Sequence, residues 1–300
     1  MVTITDAVIK KILQRVFHSQ DYRIEIITLI NAEFLQFAID FFKQVVDAKL
    51  NNQDVTIDWY KAEFLRDDLP KEELAINSGL NMKTIYNMYG STRYEIVLEK
   101  SSQHYDELYQ AINSLVENVS NEVDITLTIK LRGVSVDLNI NESLIVINVL
   151  AVKRAELRGG AWSLAGKQTE KMLMQTLCKL YDVPTANYEF TGLTQSQREV
   201  DFFIINRQGN RYHCEVKLMG KGNPESADAI IARDTNVFVA DTLSDLNKRQ
   251  IDELGIKWVE LRSPEGYKKF RKILGELDIP HTEFGGDLDS RLNEIFDEIL

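Results

Sequence analysis

Two apolar segments separated by a short polar turn constrain the fold of this chain more than any other feature. The first runs from Val200 to Asn206 and the second from Arg211 to Leu218, with Arg207-Gln208-Gly209-Asn210 between them. A turn that contains Gly-Asn between two such segments predicts a β-hairpin. The end of the second strand then lies beside the start of the first, which places Glu215 near Asp201.

Three charged side chains are expected to converge on this hairpin. Glu215 and Lys217 share one face of the second strand, because side chains alternate between faces with a period of two. The carboxylates of Asp201 and Glu215 would repel each other unless a cation lay between them. Mg²⁺ prefers oxygen ligands and binds through one or two carboxylates together with substrate phosphate. The residues therefore predict a magnesium site for phosphodiester hydrolysis, in which Lys217 orients the attacking water and stabilises negative charge.

A structural ion pair is the alternative interpretation of the same residues. Asp followed at a distance by Glu-x-Lys is a common string, and cross-strand Glu–Lys pairs ordinarily stabilise sheets. The hairpin and the apolar runs around the charges favour the metal site. Glu170, on the preceding helix, is a candidate metal ligand or partner of Lys217, or else a solvent-facing residue. His213 shares the face of Glu215 and is interpreted as structural.

Helices and strands alternate on both sides of the hairpin, which predicts an α/β (α+β) core at residues 121–280. An acidic C-terminal helix is expected at 281–300. The predicted helices of the core are Trp162 to Tyr181, Glu225 to Arg233, Ser244 to Leu254 and Pro264 to Leu277, and its further strands are Tyr188 to Phe190, Val237 to Asp241 and Lys257 to Leu261.

Residues 1–120 are predicted to be helical, with apolar residues at helical spacing from Asp6 to Phe17 and from Tyr22 to Val46. This region is interpreted as scaffold or dimer surface. A second hairpin is expected around Arg132-Gly133, where apolar residues alternate on both sides. The next segment, Asn141 to Arg158, is predicted to be a helix capped by Asn141, with a strand as the alternative because it is rich in Ile and Val.

Residues 71–90 have the spacing of a helix-turn-helix. Ala75 is small where two helices would cross, and Gly79 permits the turn. Leu74, Leu80 and Ile85 would fill the small core between the helices. Lys83, Thr84, Tyr86 and Asn87 would face outward on the second helix and bind DNA, with Asn87 suited to adenine and Lys83 to guanine or phosphate. An ordinary helical hairpin is the alternative, since the segment carries no net charge.

The net charge of −11 is unusual for a protein that meets a polyanion, but the excess is local. From Glu276 onward the chain has eight acidic residues and one basic residue, Arg291, which gives a net charge of −7. The rest of the chain then has a net charge of −4. Val152 to Lys171, which includes Lys167, carries an excess of basic residues that fits phosphate contact or a solvated helix face. Lys221, between two glycines, fits phosphate contact or a plain turn.

A reducing cytoplasm is the expected compartment. Cys178 and Cys214 lie far apart and form no CxxC pair, so neither a zinc cage nor a disulfide framework is predicted. No secretory leader is recognised at the N-terminus, and no segment has about 18 consecutive apolar residues. No membrane association is expected.

The charged trio resembles the active site of the PD-(D/E)xK nuclease superfamily. In that superfamily a metal-binding Asp opens one strand, Glu-x-Lys closes the next, and a helical Glu lies upstream. Asp201, Glu215 and Lys217 match this pattern, with Glu170 upstream, although Val200 stands where Pro is frequent. The resemblance covers about residues 159–261 and implies a mixed sheet flanked by helices.

The segment from Arg158 to Cys178 is similar to the CfrBI-type group of type II restriction endonucleases. The similarity lies in Arg158-Gly159-Gly160-Ala161-Trp162-Ser163 and Gly166-Lys167-Gln168-Thr169-Glu170-Lys171. It implies double-strand DNA cleavage at a short palindrome, of the CCWWGG type, leaving 5′-phosphate ends.

The main hypothesis is a homodimeric, Mg²⁺-dependent restriction endonuclease, because two-fold protein symmetry matches a palindrome and two strands to cut. Two alternatives remain open at this stage. One keeps the catalytic core in a repair, recombination or RNA-processing nuclease. The other is a non-catalytic DNA-binding protein that acts through the helix-turn-helix.

Overall fold

The computed structural model describes residues 6–119, 126–191, 201–218 and 234–300. Its elements, in chain order, are α1 (Asp6–Phe17), α2 (Arg23–Leu50), α3 (Ile57–Phe64), α4 (Lys71–Asn77), α5 (Met82–Tyr89), α6 (Tyr94–Val119), β1 (Leu127–Leu131), β2 (Val134–Leu138), α7 (Ile140–Leu180), β3 (Tyr188–Thr191), β4 (Asp201–Ile205), β5 (Arg211–Lys217), β6 (Val237–Ala240), α8 (Asp245–Glu253), β7 (Lys257–Glu260), α9 (Lys268–Glu276) and α10 (Leu288–Ile299). The predicted helix from Glu225 to Arg233 lies outside the described residues.

The described residues divide into two compact units, one within residues 30–160 and the other within residues 6–29 and 161–300. The predicted segments, with boundaries near residues 120 and 280, follow the type of secondary structure. Their bounds as domains remain predictions.

The first unit is mainly helical, as expected for this part of the chain. Its core is built from aromatic and aliphatic side chains of α2, α3, α6 and the first half of α7. Tyr60 and Tyr105 stack with ring centroids 4.3 Å apart, and both are almost fully buried. Phe41 contributes a further buried ring to the same core. Such rings bury large apolar areas, which is the main source of stability for a helical unit of this size.

The predicted hairpin around Arg132-Gly133 is confirmed over its described residues as β1 and β2, which pair antiparallel. Arg132 and Gly133 both have positive φ, 49° and 85°, as a two-residue hairpin turn of type I′ requires. The residues before Thr126 that were assigned to this hairpin lie outside the described chain.

The helix that follows is α7, so the strand alternative for Asn141 to Arg158 is wrong. The predicted cap at Asn141 is also wrong, because Asn139 caps the helix instead. The Asn139 side chain accepts a hydrogen bond from the Glu142 amide at 3.0 Å, and Glu142 accepts one from the Asn139 amide at 2.9 Å. This reciprocal capping box begins the helix two residues earlier than a cap at Asn141 would allow.

Helix α7 runs without a break through Gly159-Gly160, although two helices were predicted here. Neither glycine adopts a positive φ, so the pair does not end the helix. Its buried side chains include Val149 before the glycines and Leu173 after them. Packing on both sides therefore overrides the low helix propensity of glycine.

Substitution of Gly159 by alanine is expected to raise the free energy of unfolding by about 0.5–1 kcal/mol. A Cβ at this position would meet no atom within 4 Å. The gain comes from the lower backbone entropy of alanine in the unfolded chain. Urea titration followed by circular dichroism measures it, and a loss of stability would contradict the helical conformation of Gly159.

The second unit is built on a five-stranded mixed sheet of order β3-β4-β5-β6-β7. Strands β3, β4 and β5 are antiparallel neighbours, whereas β5, β6 and β7 run parallel. The second half of α7 contributes Leu173 and Cys178 to the core beside Cys214 of β5. Helix α8 packs its Ile251 with Phe238 of β6. The mixed sheet flanked by helices confirms the predicted α+β fold.

Two predicted helices start later than expected. The helix assigned from Pro264 begins at Lys268, since Glu265 has a positive φ of 51° and the preceding residues form turns. The acidic C-terminal segment is helical only from Leu288, where Asp287 caps α10 by accepting a hydrogen bond from the Ser290 amide. None of the helices within the described ranges combines the length and apolarity needed to cross a membrane.

Candidate functional site

The hairpin β4–β5 brings the backbones of the predicted catalytic residues together. Phe202 pairs with Cys214, so continuing the antiparallel register by one residue sets Asp201 opposite Glu215. Residues directly opposite in an antiparallel pair share a face of the sheet. The position of Asp201 at the start of β4 is fixed further by its pairing with Thr191. The side chain of Asp201 itself lies outside the described atoms.

A polar turn holds the register of this hairpin. The Asn206 side chain accepts hydrogen bonds from the amides of Gln208, at 3.1 Å, and Asn210, at 2.8 Å. Gly209 has a φ of 84°, which favours glycine. Because a slip of one residue would turn Glu215 to the opposite face, this turn contributes directly to the geometry of the site.

Glu215 and Lys217 form a close pair at the end of β5. The ammonium of Lys217 lies 2.9 Å from a carboxylate oxygen of Glu215. Glu215 is only 5% exposed and is paired across the sheet with the fully buried Phe238. A carboxylate in such apolar surroundings requires a cation close by. Lys217 is more exposed than Glu215, so its ammonium can also face a substrate.

Glu170 is brought to the same end of β5 by helix α7. Its carboxylate accepts a hydrogen bond from the amide of Leu218, at 3.3 Å, immediately after Lys217. The solvent-facing interpretation of Glu170 therefore does not describe its position. The structure instead puts a second carboxylate at the end of the strand that carries the Glu215–Lys217 pair.

His213 lies on the same face of β5 but is positioned by structural contacts. Its amide donates to the Asn236 side chain at 2.8 Å, and its carbonyl accepts from the Asn236 amide at 2.9 Å. Its ring lies 5.1 Å from that of Phe203. These contacts fit the structural role expected for this histidine.

Asp241 was not singled out in the sequence, yet it lies at the same edge of the sheet. It follows β6 directly, its side chain is fully buried, and its amide donates to the carbonyl of Lys217 at 3.3 Å. Arg262, which follows β7, lies 3.8 Å from the Asp241 carboxylate and donates its amide to the Asp241 carbonyl at 2.9 Å. The sequence signal that could have identified Asp241 is an acidic residue directly after an apolar strand. Its guanidinium neighbour comes from a different strand and is not predictable locally.

Replacing Arg262 by alanine is expected to lower the free energy of unfolding by on the order of 3 kcal/mol, because it removes a cation beside a fully buried carboxylate. Urea titration measures the change. Arg249→Ala is the matched control: Arg249 is exposed on α8 and should alter stability by less than about 0.5 kcal/mol. Equal effects of the two substitutions would contradict a stabilising role for the Arg262–Asp241 pair.

The donor set fits a hard divalent cation in part. Glu215 and Glu170 supply carboxylate oxygens at one strand end, which is the ligand chemistry that Mg²⁺ prefers. Asp201 would add a further oxygen ligand. Within the described side chains, no group of three or more His, Cys, Asp or Glu residues is arranged to hold a metal ion. Both cysteines are buried free thiols whose pKa is raised by burial, so they are not thiolate ligands.

The candidate helix-turn-helix consists of α4 and α5. They are joined by a turn in which Gly79 has a φ of 83°, and Leu74, Ala75 and Ile85 are fully buried between the helices and their neighbours. Of the three residues predicted to fill this core, Leu74 and Ile85 are fully buried, whereas Leu80 is partly buried against it. Asn81 caps α5 by accepting a hydrogen bond from the Thr84 amide at 2.9 Å.

The outer surface of α5 carries the predicted DNA-binding residues. Lys83, Tyr86 and Asn87 are exposed, with Tyr86 at 58%, whereas Thr84 is half-buried. Exposed aromatic and amide side chains on one helix match what base and phosphate contact requires. The side chain of Lys167 and the whole of Lys221, which were also assigned to DNA contact, lie outside the described part of the chain.

Together, a mixed sheet, acids at a strand end and a neighbouring lysine are typical of a nuclease. Residues 6–248 match the family described as CfrBI restriction endonuclease, and the chain belongs to that family. It is a type II site-specific deoxyribonuclease, a DNA-binding hydrolase of restriction-modification. This assignment confirms the predicted resemblance and favours restriction over the repair, RNA-processing and non-catalytic alternatives. No curated protein and no solved structure gives a significant match.

Proposed function

We propose that this endonuclease cleaves DNA with Mg²⁺ at a site formed by Asp201, Glu215, Lys217 and Glu170. The observation that carries the proposal is the 2.9 Å contact between Lys217 and the buried Glu215 at the end of β5. Asp201 and Glu215 are the proposed metal ligands. When bound, Mg²⁺ polarises a phosphoryl oxygen and lowers the pKa of a bound water.

Residues of the chain orient the attacking water and stabilise the developing negative charge. Lys217 orients the attacking water and faces the negative charge that develops on the phosphoryl group. The carboxylate of Glu170 accepts a hydrogen bond from the Leu218 amide, directly after Lys217. Glu170 thereby positions the end of β5, or it adds a metal ligand. The apolar surroundings of Glu215 keep bulk water away and strengthen these electrostatic contacts.

The target is proposed to be a short palindrome of the CCWWGG type, cut by a homodimer to leave 5′-phosphate ends. Two-fold symmetry places one active site on each strand. Base contacts are assigned to Lys83, Thr84, Tyr86 and Asn87 of α5, and further phosphate contacts to Lys167 and Lys221. These assignments rest on the resemblance and on the exposed face of α5.

Sequencing the ends of plasmid fragments tests the target. The purified protein with Mg²⁺ should give discrete fragments whose ends share one two-fold symmetric sequence and ligate without added kinase. A continuous ladder of lengths, or ends without a shared palindrome, would contradict the proposed site. Sedimentation of the protein alone should give a mass close to twice 34.5 kDa.

A further inference from the structure

A cavity of about 270 Å³ opens beside the edge strand β7, between the end of α8 and helix α9. Strands β5, β6 and β7 are parallel, and Lys217 ends β5 whereas Lys257 begins β7. The cavity therefore lies near the N-terminal ends of the parallel strands, whereas the candidate active site lies at their C-terminal ends. Its volume falls just below the range typical of drug-sized ligands, so it suits a single small group.

Lysine side chains dominate the charge of this cavity. Lys257 and Lys272 share one carboxylate, Glu276, at 2.5 Å and 3.9 Å. The other acid of the lining, Asp252, accepts a hydrogen bond from the indole nitrogen of Trp258 at 2.8 Å. That bond fixes the plane of the Trp258 ring, which forms one wall.

Lys269 adds a third ammonium with different surroundings. Its nitrogen lies over the Trp258 ring, and among the described residues no carboxylate lies within 4 Å of it. Burial lowers the pKa of Lys269 to about 8, and nearby Lys248 and Lys272 act in the same direction. Asp252 and Glu260 oppose the shift without cancelling it. The protein thus keeps a cation where its charge is incompletely compensated.

We propose that this cavity binds a phosphate group, with Lys269 and Lys272 as cationic contacts and Trp258 as the wall. An anion bound there would provide the negative charge that is missing near the Lys269 ammonium. Lysine is a common phosphate ligand in proteins. Phosphate is the anion singled out because the family acts on DNA, whose backbone and cleaved ends both carry it. The inference depends on that substrate and not on the proposed catalytic residues.

Limited acylation of the native protein at pH 8, read by peptide mass spectrometry, tests the site residue by residue. The neutral amine is the reactive form, so Lys269 should be modified several-fold faster than its neighbour Lys268. Lys268 is exposed and paired with Glu265, and serves as the internal control. Inorganic phosphate should protect Lys269 in a saturable way, whereas chloride at equal ionic strength should not.

A duplex DNA in EDTA forms the second arm of the test. Protection of Lys269 at DNA concentrations far below those of inorganic phosphate would identify the backbone phosphodiester as the ligand. Protection by phosphate alone would identify a free phosphate monoester or phosphate ion. Absence of saturable protection by both would overturn the proposal. Cleavage is not measured in either arm, so a wrong assignment of the active site leaves this outcome unaffected.

Lys269→Gln and Lys268→Gln separate binding from folding. Without phosphate, Lys269→Gln should melt a few degrees higher than the wild type at pH 7, because the unfavourable buried charge is gone. This difference should shrink as the pH rises from about 8 towards 10.5, where the folded protein releases the Lys269 proton first. Phosphate should raise the Tm of the wild type and of Lys268→Gln but not that of Lys269→Gln. Equal responses of the two variants would overturn the proposal.

Discussion

Replacement of Lys217 by alanine is expected to reduce DNA cleavage by roughly 10²–10³-fold or more, because it removes the cation that we propose faces the developing phosphoryl charge. The ammonium lies 2.9 Å from the buried Glu215 and is positioned at the end of β5. Single-turnover cleavage of a plasmid in Mg²⁺ measures the effect. Binding of the same DNA in EDTA should fall by less than about tenfold, since one phosphate contact at most is lost.

Arg211→Ala is the matched control for Lys217→Ala. Arg211 begins β5 on the same face, six residues before Lys217, and pairs with Glu189 at the exposed end of the strand. Loss of its positive charge should leave the cleavage rate within about threefold of the wild type. Cleavage by Lys217→Ala at the rate of Arg211→Ala would contradict the proposed site.

The double substitution of Lys83 and Asn87 by alanine is expected to weaken specific DNA binding by about 10²-fold or more. Each well-formed contact to a base edge contributes about 1–3 kcal/mol of discrimination, and both side chains are exposed on α5. Neither side chain contributes to the core under α5, which is formed by Leu74, Ala75 and Ile85. The fold should therefore persist.

Binding to a duplex with the cleavage sequence, compared with a scrambled duplex, measures this effect. The ratio of the two affinities should fall in the double variant. Lys130→Ala removes one positive charge from the exposed side of β1 and should leave the ratio unchanged. If the double variant kept the wild-type ratio, α5 would not be the recognition helix and the ordinary helical hairpin would describe it better.

The hairpin β4–β5 was predictable because its signals are local. The turn with Gly209 and the apolar runs on both sides of it set the hairpin and its register, and these place Asp201 opposite Glu215. The helix pair α4–α5 was predictable for the same reason, since its small core and its turn glycine are close in sequence. In both cases the local preferences agree with the final packing.

The continuity of α7 was not predictable from local propensity. A Gly-Gly pair normally weakens a helix, but residues on both sides of the pair are buried and the helix continues through it. The N-cap was predicted at Asn141, two residues after Asn139, which forms the capping box with Glu142. The wrong cap shows that the nearest Asn is a weaker signal than Asn followed three residues later by Glu.

Contacts at the end of the sheet that carries the candidate site depend on long-range packing. The hydrogen bond of Glu170 to Leu218 joins residues 48 positions apart, and Arg262 reaches Asp241 from the neighbouring strand. Sequence patterns place such residues on their elements, but not next to each other. The position of Lys269 over Trp258 has the same origin, because it needs β7 and α9 to be packed together.

The most direct test of the proposed site compares wild-type protein and Glu215→Gln in plasmid cleavage as Mg²⁺ is added back after EDTA treatment. The substitution keeps the shape of the side chain and removes the charge that would hold the metal. The wild type should give discrete fragments only after Mg²⁺ is restored, and Glu215→Gln should give none at any Mg²⁺ concentration that supports the wild type. Cleavage by the wild type in EDTA, or equal cleavage by Glu215→Gln, would contradict metal-dependent hydrolysis at this site.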